Sequence, residues 1–196
     1  MKQQVMYHYT NPARWDGIVN GQEGYLIEHP ITKKMVNSET VRGWILPHRR
    51  LISQGIESSL VPSEATLPAI SGLSESVPQS WFQYRDCINV WDYLLGCCKR
   101  GANKLALLKI NLIDADNALV FDYVHIRRMA RDLVQTKDLE KYRKILAQGN
   151  RDYWNSRIAL DRYVSSFVLP EIVVFSAIPI ERIEFLGEKD RELLVK

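Results

Sequence analysis

A glutamate set against an apolar strand, and a His-Tyr-Thr row closing another, are the side chains here whose types and spacing suit chemistry. Near the C-terminus Phe167 to Leu186 reads FVLPEIVVFSAIPIERIEFL, and Glu171 stands just before the β-branched run Ile172 to Phe175. A carboxylate beside so apolar a segment is costly unless it is solvated, paired or used. Its ordinary account is a strand-end Glu that reaches solvent or pairs with an Arg; the other is an acid kept for catalysis. At the opposite end, MKQQVMYHYTNPARWDGIVNG places His8, Tyr9 and Thr10 in a row. A lone strand histidine is usually a half-buried polar residue bonded to backbone. A His-Tyr-Thr row that leads into a capped helix is a more specific signal. In mid-chain, Tyr84 and Arg85 follow Trp81 and Phe82 as further polar groups at the end of an aromatic run.

The elements that must position these groups follow from periodicity and turn residues. Val5 to Thr10 reads as a strand. Thr10 or Asn11 caps a helix, with Pro12 in its first turn and Trp15, Ile18 and Val19 at helical spacing before Gly21. Glu23 to Ile27 is a short strand candidate, and Ser38 to Gln54 carries a helical pattern interrupted at Pro47, beside the basic cluster His48-Arg49-Arg50. Residues 56–80 hold seven Ser, three Pro and three Glu without a Lys or Arg, which predicts a mobile loop or lid. Ser80 to Arg85 reads as an aromatic strand, Ile88 to Lys99 as a helix, and Lys104 to Leu112 and Ala118 to Asp122 as strands. Ile126 to Val134 and Leu139 to Leu146 are helical, a helical insertion over 126–148. Tyr153 to Val168 stays open between helix and strand. Ile172 to Phe175 and Arg182 to Leu186 close the chain as two strands around Ser176-Ala177-Ile178-Pro179. The mixture predicts one α+β domain over 1–196, not an alternating parallel sheet.

Composition excludes several classes. With 46% hydrophobic and 25% charged residues, 196 residues can bury a core, and no run approaches a membrane span or signal peptide, so a soluble cytoplasmic chain is expected. The formal charge of +3 is too mild to imply nucleic acid by itself. Arg127 to Lys144 is the basic exception, with seven Lys/Arg against three Asp/Glu interspersed at salt-bridge spacing, and reads as a solvated helical face or a nucleic-acid contact. Cys87, Cys97 and Cys98 have no metal or disulfide spacing, and His8, His29, His48 and His125 lie far apart, so no metal is expected. Glycine-rich phosphate loops, His-Glu-x-x-His and Gly-x-Ser-x-Gly are absent from the sequence.

YHYTNPARWDGIVNG, a central aromatic strand and the late LPEIVVFSAIPIERIEFL together resemble the ADP-ribosyltransferase superfamily, in particular bacterial toxin-like members with a His-Tyr-Thr opening and relatives of the DNA-targeting toxins. The resemblance implies a mixed or antiparallel split sheet with flanking helices, and NAD as substrate without a metal. Glu171 would be the catalytic acid. His8, Tyr9, Thr10, Arg14 and Tyr84 would hold NAD: His8 at the adenosine ribose with Thr10 as helper, Tyr84 or Tyr9 stacked on nicotinamide, and Arg14 at the pyrophosphate. It further implies a protein or nucleic-acid acceptor, no membrane partner, and, for a toxin, an immunity protein and delivery into a target cell. Leu169 stands where arginine-modifying members carry a second acid, Ser-Thr-Ser is missing from the middle strand, and Glu181 and Glu184 compete with Glu171 for the catalytic role. Two alternatives stand beside the transferase: an enzyme moving a 2′-phosphate from RNA to NAD, using His48-Arg49-Arg50, and an inactive binding domain on the same fold.

Overall fold

A computed structural model describes residues 4–12, 15, 16, 19, 44, 45, 69–77, 81, 104–176 and 178–190. Its strands are β1 (Gln4–Thr10), β2 (Trp44–Ile45), β3 (Ile70–Leu73), β4 (Lys104–Leu112), β5 (Leu119–Asp122), β6 (Ile158–Ala159), β7 (Pro170–Val174), β8 (Ile178–Pro179) and β9 (Ile183–Asp190). Two helices, α1 (Val124–Val134) and α2 (Leu139–Asn155), stand between β5 and β6. Seven strands form one sheet in the order β6-β5-β7-β3-β1-β4-β9, while β2 and β8 pair separately. Every pairing among the described strands is antiparallel, which makes the domain α+β as expected.

The apolar runs explain the centre of this sheet. Strand alternation sends Leu105 and Leu107 of β4 to one face and Leu108, Ile110 and Leu112 to the other, and both faces are buried. On the first face lie α1 and α2. Ile126, Met129 and Leu133 recur along one side of α1, and Ile145, Leu146, Tyr153 and Trp154 along α2. Asp138 caps α2 by accepting from the amides of Glu140 and Lys141 at 2.8 and 3.2 Å. The helices meet at Gly149, where an added Cβ would lie 2.5 Å from Met129 Cβ. Tyr153 and Trp154, each 1% exposed, pack on Phe121 of β5. Full burial of a large apolar side chain is worth about 1.5–3 kcal/mol, so this aromatic knot anchors α2 to the sheet. The opposite face is closed by Trp15, Leu160, Tyr163 and Phe167.

Several expectations need correction. Ile70 to Leu73, expected inside the 56–80 lid, is a central strand between β1 and β7, because Gly72 lets β1 approach so closely that a Cβ there would meet Met6 Cγ at 2.3 Å. Residues 56–68 and 78–80 lie outside the described residues. Trp44 and Ile45, expected in a helix, are extended and pair with β8. Trp81, expected in a strand, is helical. The open stretch from Tyr153 resolves into the last turn of α2, β6 and a 3-10 turn at Leu160–Arg162. Glu171 lies inside β7, one residue past its start, not ahead of the strand.

Candidate functional site

Glu171 is held from three sides. In register, Leu73 of β3 and Phe121 of β5 stand opposite it, and Tyr7 of β1 stands opposite Leu73, so these residues share one row and one face of the sheet. From above that face the Tyr153 hydroxyl of α2 donates to Glu171 Oε2 at 2.7 Å. Glu171 is 2% exposed. An acid this deep requires partners, and a phenol is a suitable one because it donates without adding charge. Tyr153 has no freedom to turn away: its ring stacks on Phe121 at 4.6 Å between centroids and meets Tyr123 edge-on at 6.3 Å.

The strand that leads to Glu171 is fixed by a second buried acid. Asp122 Oδ1 accepts from the amides of Val124 at 3.2 Å and Leu169 at 3.0 Å, and its Oδ2 accepts from Val168 at 3.2 Å. The Ser156 hydroxyl accepts from the Asp122 amide at 3.0 Å, and the Trp81 indole donates to the Pro170 carbonyl at 3.3 Å. One carboxylate thus ties the start of α1 to the chain entering β7. Trp81 also stacks on Tyr123 at 5.3 Å.

His8 and Glu171 occupy opposite faces. Along β1, Tyr7 and Tyr9 turn to the Glu171 face and Met6 to the other, so alternation puts His8 and Thr10 with Met6; His8 stands opposite Leu108, which lines that second face. All three polar residues of the row are buried. The His8 imidazole lies in the seam between β1 and β3, whose ladder contains the single pair Tyr7↔Leu73, and its Nδ1 is 2.7 Å from the Ser71 carbonyl. A carbonyl only accepts, so this contact places a proton on Nδ1. His8 is thus buried, with its Nδ1 bonded to backbone. Tyr9 shares the Glu171 face, and its hydroxyl donates to the Ser76 carbonyl. Burial pushes its phenol up to about 12, so it is a neutral donor at pH 7.

The rival acids lie elsewhere. Glu184 is exposed and paired with Lys109 at 2.8 Å, and Glu181 is exposed in the turn before β9. That hydrogen bond to Glu184, with its charge, raises the Lys109 pKa. Of Glu171, Glu181 and Glu184, Glu171 alone is buried. Arg14, Tyr84, Arg85, His48-Arg49-Arg50 and the cysteines fall outside the described residues. The basic stretch is largely exposed, and Lys144–Glu140 and Arg131–Asp132 pair within it.

Tyr153 and Asp122 were not candidates from sequence. Tyr153 continues the helical spacing of Leu139, Tyr142, Leu146 and Gly149, a signal that extends α2 past Leu146 and onto the sheet. Among the described residues no group of three or more His, Cys, Asp or Glu could hold a metal, and no helix is long and apolar enough to cross a membrane. Comparison with family models, curated proteins and solved structures returns no match.

Proposed function

We propose that this chain is an NAD-dependent ADP-ribosyltransferase, with Glu171 as the catalytic acid and a macromolecule as acceptor. The observation that carries this reading is the buried Glu171 carboxylate on a central strand, hydrogen-bonded by Tyr153 and facing the same side as Tyr9 of the His-Tyr-Thr row. When the C1′–N bond of NAD breaks, its electron pair leaves with nicotinamide and neutralises the pyridinium ring. Positive charge then develops on the ribose, and a fixed carboxylate in dry surroundings stabilises it best. Glu171 supplies that charge and accepts from a ribose hydroxyl. The acceptor's nucleophile then bonds to C1′ and loses its proton. Tyr7 and Tyr9 are the β1 residues on this face, and His8 enters as a residue whose imidazole bonds β3 through the Ser71 carbonyl.

A second reading, a binding domain without catalysis, draws on the opposite facing of His8 and Glu171. Here the Tyr153–Glu171 bond is a core contact and nothing more. The two readings separate on NAD titrated into purified protein, followed by nicotinamide release. Turnover that disappears in Glu171→Gln, with NAD binding retained, supports the transferase. Neither turnover nor NAD binding in wild type leaves the binding domain.

A further inference from the structure

We infer that Tyr153 is a positioning residue for the Glu171 carboxylate, acting on the reaction through that acid and not through the substrate; this rests on the transferase reading above. Its hydroxyl donates to Oε2 at 2.7 Å with both residues at least 98% buried. A carboxylate on a strand has rotatable side-chain bonds, and a bond to one oxygen from a fixed donor sets the plane of the group. That donor is fixed by rings, since Tyr153 stacks on Phe121 at 18° between planes and meets Tyr123 and Trp154 edge-on at 90° and 89°. The helix beneath it is held in turn by Gly149 against Met129. Helix α2 therefore delivers one hydroxyl to one oxygen of the acid from the face of the sheet that it covers. A carboxylate misplaced by about 1 Å loses on the order of 10²-fold in rate, which is the scale on which such a clamp acts.

The test compares wild type, Glu171→Gln, Tyr153→Phe and a protein with 3-fluorotyrosine at 153, which keeps the ring stack and alters the donor. NAD affinity is read by calorimetry and nicotinamide release by kcat and KM. Tyr153→Phe lowers kcat by about 10- to 100-fold with KM and NAD affinity within twofold of wild type. If Tyr153→Phe does not fold, the fluorotyrosine protein carries the test, with a lowered kcat at unchanged KM. An active wild type with an undiminished kcat in the altered protein overturns the Tyr153 assignment alone, as does a loss that falls on KM. A wild type that neither binds nor cleaves NAD overturns the transferase reading itself, and the Tyr153 assignment falls with it.

Discussion

Replacing Arg182 with alanine removes a largely buried ion pair. Arg182 Nη1 donates to Asp116 Oδ2 at 2.7 Å and Nη2 to Oδ1 at 3.1 Å, a two-pronged pairing, while the Ile113 amide and the Ser176 hydroxyl donate to the same carboxylate at 2.9 and 3.2 Å. These bonds join the ends of β4 and β7 to the turn before β9. Asp116 is buried and the Arg182 side chain 18% exposed. Breaking a fully buried pair from one side costs about 3–5 kcal/mol. Two neutral donors stay on Asp116 and the guanidinium is partly wet, so Arg182→Ala costs about 2–3 kcal/mol here. For a chain of this size that is a fall in Tm of about 4–12 °C by calorimetry at pH 7. Arg182→Ala with Asp116→Asn is less destabilised than Arg182→Ala alone, because no unpaired charge is left buried. The pH dependence follows from the same contacts. Burial alone raises the Asp116 carboxyl, but the hydrogen bonds from Arg182, Ile113 and Ser176 and the guanidinium charge outweigh it and hold the folded pKa below its ordinary 3.8. The stability that Asp116 contributes is therefore complete above that value and is lost as pH falls through the depressed folded pKa. In Arg182→Ala the loss begins at higher pH. A Tm within 1 °C of wild type, or a double variant less stable than the single one, refutes this account.

Three further outcomes follow from named contacts. Gly72→Ala puts a Cβ 2.3 Å from Met6 Cγ and 2.7 Å from the Tyr7 carbonyl, so β1 and β3 must part; the cost is about 1–3 kcal/mol by denaturant unfolding, with faster amide exchange in β1. Unchanged exchange there contradicts the close approach. Gly149→Ala drives a methyl to 2.6 Å from Met129 Cγ and 2.8 Å from its Sδ and destabilises by a similar amount, and Met129→Ala in the same chain, which removes both atoms, recovers part of it; no recovery places the strain elsewhere. Asp122→Ala deprives the amides of Val124, Val168 and Leu169 of their acceptor and costs about 2–4 kcal/mol, with amide exchange rising at 168 and 169 as the local readout; protection there unchanged contradicts the clamp.

How far the fold was legible depended on whether a signal was local. Lys104 to Leu112 is an apolar run of leucines with Ile110, broken by Lys109 and Asn111, and the strand has those bounds. Val5 to Thr10 and Ile172 to Phe175 were legible for the same reason, within a residue or two. Ile70 to Leu73 was not, because Ser71 and Gly72 sit among Ser and Pro and the strand exists through what it pairs with. The glycine that looks like loop is required by Met6 of the neighbouring strand. Trp44 and Ile45 suit a helix as well as a strand, and their partners in β8, Pro179 and Ile178, lie 135 and 133 positions away.

The candidate site was legible in its parts and not in its facing. His8, Thr10 and Glu171 are buried polar residues at or near strand ends, which composition around them suggested. Which face each side chain takes is set by register, since one residue of slip reverses it. The row Tyr7, Leu73, Glu171, Phe121 spans four strands from distant parts of the chain, and nothing local fixes that alignment. Tyr153 was hidden likewise: its helical spacing was present, but its partner lies across a turn, a short strand and a 3-10 segment.

The most direct test of the central claim is nicotinamide release from NAD by wild type and by Glu171→Gln, with NAD affinity measured for both. The account predicts release by wild type and a loss of at least about 10²-fold in kcat for Glu171→Gln at nearly unchanged affinity, as removal of transition-state charge stabilisation requires. Equal release by the two proteins, or a wild type that neither binds nor cleaves NAD, contradicts it.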